Sequence, residues 1–124
     1  MTHEEFIALA LDLCPQGWRD WPFAGDGETS VLRHRDNGRW FALLFFLEGK
    51  PCVNLKCEPM QADFWRRVYP HVCPGWHMNK THWNTLILED YMPREDLCKM
   101  ILDSFQLTGS DRCHGKKALK KQSE

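Results

Sequence analysis

Twelve residues from Pro74 to Thr85, Pro-Gly-Trp-His-Met-Asn-Lys-Thr-His-Trp-Asn-Thr, hold two histidines, two tryptophans, two asparagines and a lysine. That mixture is a poor core and a good grip. Lys80 with His77 and His82 could contact phosphate, Asn79 and Asn84 could donate hydrogen bonds, and Trp76 or Trp83 could stack on a base. The same residues could equally form a structural loop, with Gly75 permitting a turn, the indoles plugging the core edge and the amides satisfying loop backbone. Both readings stand. Asn54 and Lys56 lie two apart on an extended run, so they share one face while Val53, Leu55 and Cys57 share the other. With the apolar set toward helices, Asn54 and Lys56 are expected to face outward. Arg33, Arg35 and Arg39 flank the Asn37-Gly38 turn and make the most basic hairpin tip of the chain.

Other chemistries find less support. Cys73-x3-His77-x4-His82 resembles ligand spacing, but structural zinc normally takes a tight Cys-x2-4-Cys knuckle, and none occurs. Cys52 and Cys57 differ by an odd number on an extended segment and should point to opposite faces. No metal and no cofactor are expected. No Gly-x-Ser-x-Gly elbow, phosphate-binding loop or paired-carboxylate motif appears, so no catalytic residue is assigned. The six cysteines sit mostly inside apolar patterns and read as buried thiols rather than a disulfide framework.

The elements that must position these groups follow from local signals. Thr2-x-x-Glu5 is a capping box, and Phe6, Ala10 and Leu13 make the stripe of a first helix that Pro15 and Gly17 end. Trp18 to Glu28 reads as a looser segment. Strands are expected at Ser30–His34, Trp40–Leu47, Cys52–Lys56 and Asn84–Leu88, with turns at Asn37-Gly38 and Glu48-Gly49. Glu58-Pro59 opens a second helix with Met60, Phe64 and Val68 along one face and Trp65 and Tyr69 beside it, and Pro70 stops it. Pro93 opens a third helix carrying Leu97, Met100, Ile101 and Phe105, which Gly109 closes. The fold class is α+β: a two-layer sandwich of helices on an antiparallel sheet. Trp40–Leu47 is apolar on both faces, so it is either central or covered by a partner.

A chain of 124 residues suits one domain, here residues 1–108, with a basic and flexible tail over residues 109–124. The body to Thr108 has 11 basic and 15 acidic residues and the tail five and two, so the overall charge is −1. A body of that sign attracts polyanions only through a local patch. No signal peptide or membrane-length apolar run is visible, which leads to the expectation of a cytoplasmic protein without membrane contact.

Trp21-Pro22-Phe23, Trp40-Phe41-Ala42-Leu43-Leu44, Val53 to Pro59, Tyr69-Pro70 and Gly75 to Thr85 together resemble the MmcQ/YjbR family of small bacterial proteins. The resemblance covers nearly all of residues 2–108. It implies a fold likened to secretion chaperones or frataxin-like proteins and a DNA-binding role through a double-wing arrangement of sheet and loops. It brings no catalytic residues. The expectation is therefore a non-enzymatic module that binds DNA through Arg33, Arg35, Arg39, Lys56, Trp76, His77, Asn79, Lys80, His82 and Trp83. The alternative is a protein-interaction or chaperone-like adaptor, using an apolar sheet face for a protein partner or a weak homodimer.

Overall fold

The Thr2 hydroxyl accepts from the Glu5 amide at 3.1 Å, and the Glu5 carboxylate accepts from the Thr2 amide at 2.8 Å. This reciprocal cap starts α1, His3–Leu13, as the sequence predicts. The computed structural model describes residues 1–110. After α1 come β1 (Gly17–Asp20), β2 (Ser30–His34), β3 (Trp40–Leu47), β4 (Lys50–Lys56), α2 (Pro59–Val68), β5 (Val72–Pro74), β6 (Trp83–Ile87) and α3 (Arg94–Leu107). The strands form one antiparallel sheet in the order β1-β2-β3-β4-β6-β5. The predicted α+β class holds. Two strands, β1 and β5, are additions to the sequence reading. Of the basic tail expected over residues 109–124, only Gly109 and Ser110 lie within the described residues. Among those residues, no helix is long and apolar enough to cross a membrane.

The helices occupy one side of the sheet. There Phe6, Ala10, Leu32, Phe41, Leu44, Val53, Leu86 and Ile101 form the main core. The other side holds a smaller cluster of Val31, Leu43, Phe45 and Cys52, with Trp40, Leu47, Met78 and Ile87 packed against it. β3 is therefore central and buried on both faces, which is why it reads as continuously apolar. The turn before β4 places Glu48 and Gly49 at φ of 52° and 78°, the double positive φ of a tight hairpin turn.

One irregularity in β3 shapes everything on the helix-free side. Leu32 pairs with Ala42 but Arg33 pairs with Trp40, so Phe41 is an extra residue. Phe41 and Ala42 both enter the main core, and Trp40 turns to the opposite face. The buried Ser104 hydroxyl of α3 serves the backbone beside this bulge: it donates to the Phe41 carbonyl (2.6 Å) and accepts from the Lys56 amide (2.9 Å).

α2 packs by a different stripe from its most apolar one. Met60, Phe64 and Val68 do share a face, but it is the outer one, at 87%, 51% and 45% exposure. Ala62 and Trp65 are buried instead, with Tyr69 packed against the core. Small Ala62 lets the helix approach β6 closely enough for Asn84 to donate to its carbonyl at 3.2 Å.

Two histidines are buried in this frame. His3 donates from Nε2 to the Cys52 carbonyl at 3.1 Å, and His34 lies 2.8 Å from the Thr108 hydroxyl, stacked on Phe105. Burial lowers the pKa of both below the ordinary 6.5. A histidine depressed in the folded state stabilises the fold above its unfolded pKa and withdraws that stability as pH falls through its folded value. The melting temperature should therefore hold near pH 7.5 and decline below about pH 6.5, less steeply in His34→Gln. A midpoint that rises on acidification to about pH 5 would contradict this assignment.

Candidate nucleic-acid interface

β4 and β6 place the first site residues. Asn54, Thr85 and their neighbours lie on the helix-free face, where parity along both strands puts Lys56 with Cys52 and Trp83 with Ile87. Asn54 faces away from the helices as expected, yet it is fully buried. The segment after β5 folds back over it: Asn54 Nδ2 donates to the Trp76 carbonyl (2.8 Å), Thr85 Oγ1 donates to Asn54 Oδ1, and the Trp76 amide donates to Thr85 Oγ1 (2.9 Å). Trp76 then stacks on Phe45 with centroids 5.1 Å apart and planes 15° apart, and Met78 joins the same cluster.

The loop from Gly75 to Trp83 is a pinned structure. Gly75 donates to the Trp83 carbonyl at 2.8 Å, and a Cβ on Gly75 would sit 2.7 Å from the Trp83 Cβ, so only glycine fits. Asn79 Oδ1 accepts from the amides of Thr81 (2.9 Å) and His82 (3.3 Å), which makes Asn79 a turn residue rather than a free donor. Lys80 Nζ donates to the Gly75 carbonyl at 3.0 Å, using one of its three protons. Arg66 of α2, a residue the sequence reading passed over, holds the loop from below. Its guanidinium donates to Asn84 Oδ1 (2.6 Å), the Lys80 carbonyl and the Trp83 carbonyl (3.2 Å). His77 and His82 are exposed, and His77 takes a positive φ of 59° with its ring 3.9 Å from the Trp76 ring.

The β2–β3 tip is tethered too. Arg33 Nε donates to Asp20 at 2.7 Å and its Nη1 to the Gly38 carbonyl at 2.9 Å, with the guanidinium carbon 5.7 Å from the Trp40 ring centre. Asn37 and Arg39 donate to the carbonyls of Thr108 (3.0 Å) and Gly109 (3.1 Å). Arg33 is thus largely neutralised, while Arg35 and Arg39 remain exposed.

What the sheet brings together is a row the sequence did not reveal. Trp18 pairs with Arg33, Arg33 with Trp40, and Lys56 with Trp83. Ala42 pairs with Leu55, so one step along each strand brings the Trp40–Phe41 bulge opposite Lys56. Directly opposed residues share a face. The helix-free side therefore carries Trp18, Arg33, Trp40, Lys56 and Trp83 in consecutive strands at one end of the sheet. Trp18 is 37% exposed and the other four are partly exposed. Among the described residues Lys56 has no carboxylate partner. Trp18 and Trp40 are absent from the residues expected at the site; their only signal is that the chain carries six tryptophans in 124 residues.

Cys52 and Cys57 lie in separate clusters on opposite faces, and burial pushes the Cys57 thiol up to about 11. Among the described residues, no three His, Cys, Asp or Glu side chains gather as metal ligands.

A family model described as YjbR matches residues 14–107. The chain belongs to the YjbR family. Among its relatives, the uncharacterised protein YbdF of Escherichia coli O157:H7 is 33% identical over 105 residues, covering 85% of this chain and 82% of that protein. The uncharacterised protein YyaQ of Bacillus subtilis strain 168 is 32% identical over 99 residues, covering 72% and 83%. A crystal structure of a Pseudomonas syringae protein superposes with a TM-score of 0.78 at 31% identity, over 88% of this chain and 100% of that one. A Deinococcus radiodurans protein does so with a TM-score of 0.73 at 27% identity, over 98% and 83%. The sheet and helices described here are thus those of YjbR-type proteins, and the resemblance drawn from the motifs holds.

Proposed function

We propose that this YjbR-family protein is a non-catalytic module that binds DNA across the helix-free face of its sheet. The observation that carries this reading is the row Trp18–Arg33–Trp40–Lys56–Trp83, in which the register alternates indoles with cations and Lys56 has no carboxylate partner among the described residues. Lys56 takes the phosphate, with Arg35, Arg39, Lys80, His77 and His82 on the adjoining tip and loop. Arg33 serves by fixing the plane of Trp40. Charge along the strands favours the same end. The loops at the opposite end carry Asp26, Glu28, Glu48, Glu89 and Asp90 against Lys50, whereas the Lys56 end carries Arg35, Arg39, Lys56 and Lys80 against Asp36 and Glu58. An acidic chain can steer a polyanion when its charge is polarised in this way. The adaptor alternative finds less support on the sheet, because Leu43, Phe45 and Cys52 are already buried by the protein's own segments.

Fluorescence anisotropy with labelled DNA across a salt series tests the proposal. Binding should tighten as salt falls, and replacing Lys56 and Lys80 together by alanine should lower the slope of log K against log salt by about 1 to 2 while circular dichroism shows the fold intact. A response that stays flat at low ionic strength would remove the reading.

A further inference from the structure

We infer that the face takes a single strand rather than a duplex, with unpaired bases laid on the indoles; this rests on the nucleic-acid reading above. Trp18, Trp40 and Trp83 sit on β1, β3 and β6, so each successive pair is separated by one intervening strand, β2 or β4. At a strand spacing of about 4.8 Å the three indoles span roughly 19 Å, about six nucleotides at the 3.4 Å rise of a stacked strand. Lys56 lies between the second and third indoles, where the backbone of such a strand would cross.

Two features disfavour a duplex. Paired bases offer only their edges in the grooves, so the exposed parts of the indoles would meet no base face; Trp40 is already bordered by Phe23, edge-on at 5.9 Å, and by the Arg33 guanidinium at 5.7 Å, which leaves Trp18 and Trp83 as the main platforms. A duplex-reading protein also needs something that projects into a groove. The three described helices lie on the far side of the sheet. The two segments that could serve as wings are both tied down: the β2–β3 tip by Asn37 and Arg39 to the end of α3, and the Trp76–Trp83 loop by Arg66, Asn54 and Thr85. The remaining surface is a shallow row of rings with an ammonium between its second and third indoles, which suits sequence-tolerant stacking on unpaired bases.

The test compares a thymidylate strand of about 12 nucleotides, a uridylate strand of the same length and a duplex of about 12 base pairs, all against the full chain at low salt. Anisotropy and tryptophan emission are read together. Single strands should bind at least tenfold more tightly than the duplex and quench the emission. Trp83→Ala should weaken single-strand binding about 5- to 150-fold. Trp18→Ala, at the most exposed of the three, should also weaken it while the melting temperature is kept, which guards against a variant that misfolds. Equal or tighter binding of the duplex would overturn the inference and leave the nucleic-acid reading in place. No binding of any probe would remove both. Tight single-strand binding that neither tryptophan variant disturbs would also overturn it, by putting the site elsewhere.

Discussion

Asn54→Ala should lower the stability of the protein by about 3 kcal/mol, roughly 10 °C in melting temperature for a chain of this size. The amide is fully buried and serves two partners at once, the Trp76 carbonyl and the Thr85 hydroxyl. Its removal strands the buried Thr85 hydroxyl, frees the Trp76 carbonyl and leaves a gap beneath the loop. A buried polar group left without its partner costs about 1–3 kcal/mol, far more than an ordinary hydrogen bond contributes. Total stability of a domain is only about 5–15 kcal/mol, so the loss is severe. The loop should loosen as well, and with it the Trp76–Phe45 stack, so near-ultraviolet circular dichroism should weaken before the far-ultraviolet signal does. Thr85→Val should cost a similar amount because Thr85 also receives the Trp76 amide. The double variant should cost clearly less than the two single costs added, since both act on one network. Strict additivity, or an Asn54→Ala cost below about 0.5 kcal/mol, would show that the amide does not hold the loop.

Asn54 also marks the limit of what the sequence could reveal. Alternation along β4 correctly separates Asn54 and Lys56 from Val53 and Leu55, because period two is a property of the strand alone. What covers a face is not. The Trp76 carbonyl that buries Asn54 comes from 22 residues further on, and no local pattern encodes that return. The capped α1, the hairpins at Asn37-Gly38 and Glu48-Gly49, and α3 were legible because caps and turns act over a few residues. β1 was not: Gly-Trp-Arg-Asp has no apolar alternation and becomes a strand by pairing with β2. β5 has three residues and ends at a proline. The row on the open face was hidden for two reasons. β6 sits between β4 and β5, which places Trp83 beside Lys56, and the bulge at Phe41 inverts simple parity. Without that extra residue Trp40 would share the helix side with Ala42 and Leu44. The exposed ridge of α2 is ambiguous in the sequence, since its stripe at i, i+4 and i+8 resembles a packed face while Ala62 and Trp65 do the packing.

The bulge that frees Trp40 has a cost in backbone hydrogen bonding, and Ser104 offsets it. Its hydroxyl is fully buried and stands between two main-chain groups of different strands, donating to Phe41 and accepting from Lys56. One hydroxyl has one proton and two lone pairs, so it can bridge a carbonyl and an amide that do not pair with each other. Ser104→Ala removes both partners in a site without solvent, and about 2–4 kcal/mol of stability should be lost, or roughly 6–15 °C in melting temperature. Alanine is the better helix former, so intrinsic propensity acts in the opposite direction and any loss belongs to the bridge. The amide of Lys56 should exchange with solvent faster in the variant, because Ser104 is its acceptor. Because Lys56 and Trp40 border the same irregularity, binding of a single strand should weaken together with that protection. A Ser104→Ala protein that melts like the parent, with the Lys56 amide still protected, would mean that β3 and β4 close the bulge without help from α3.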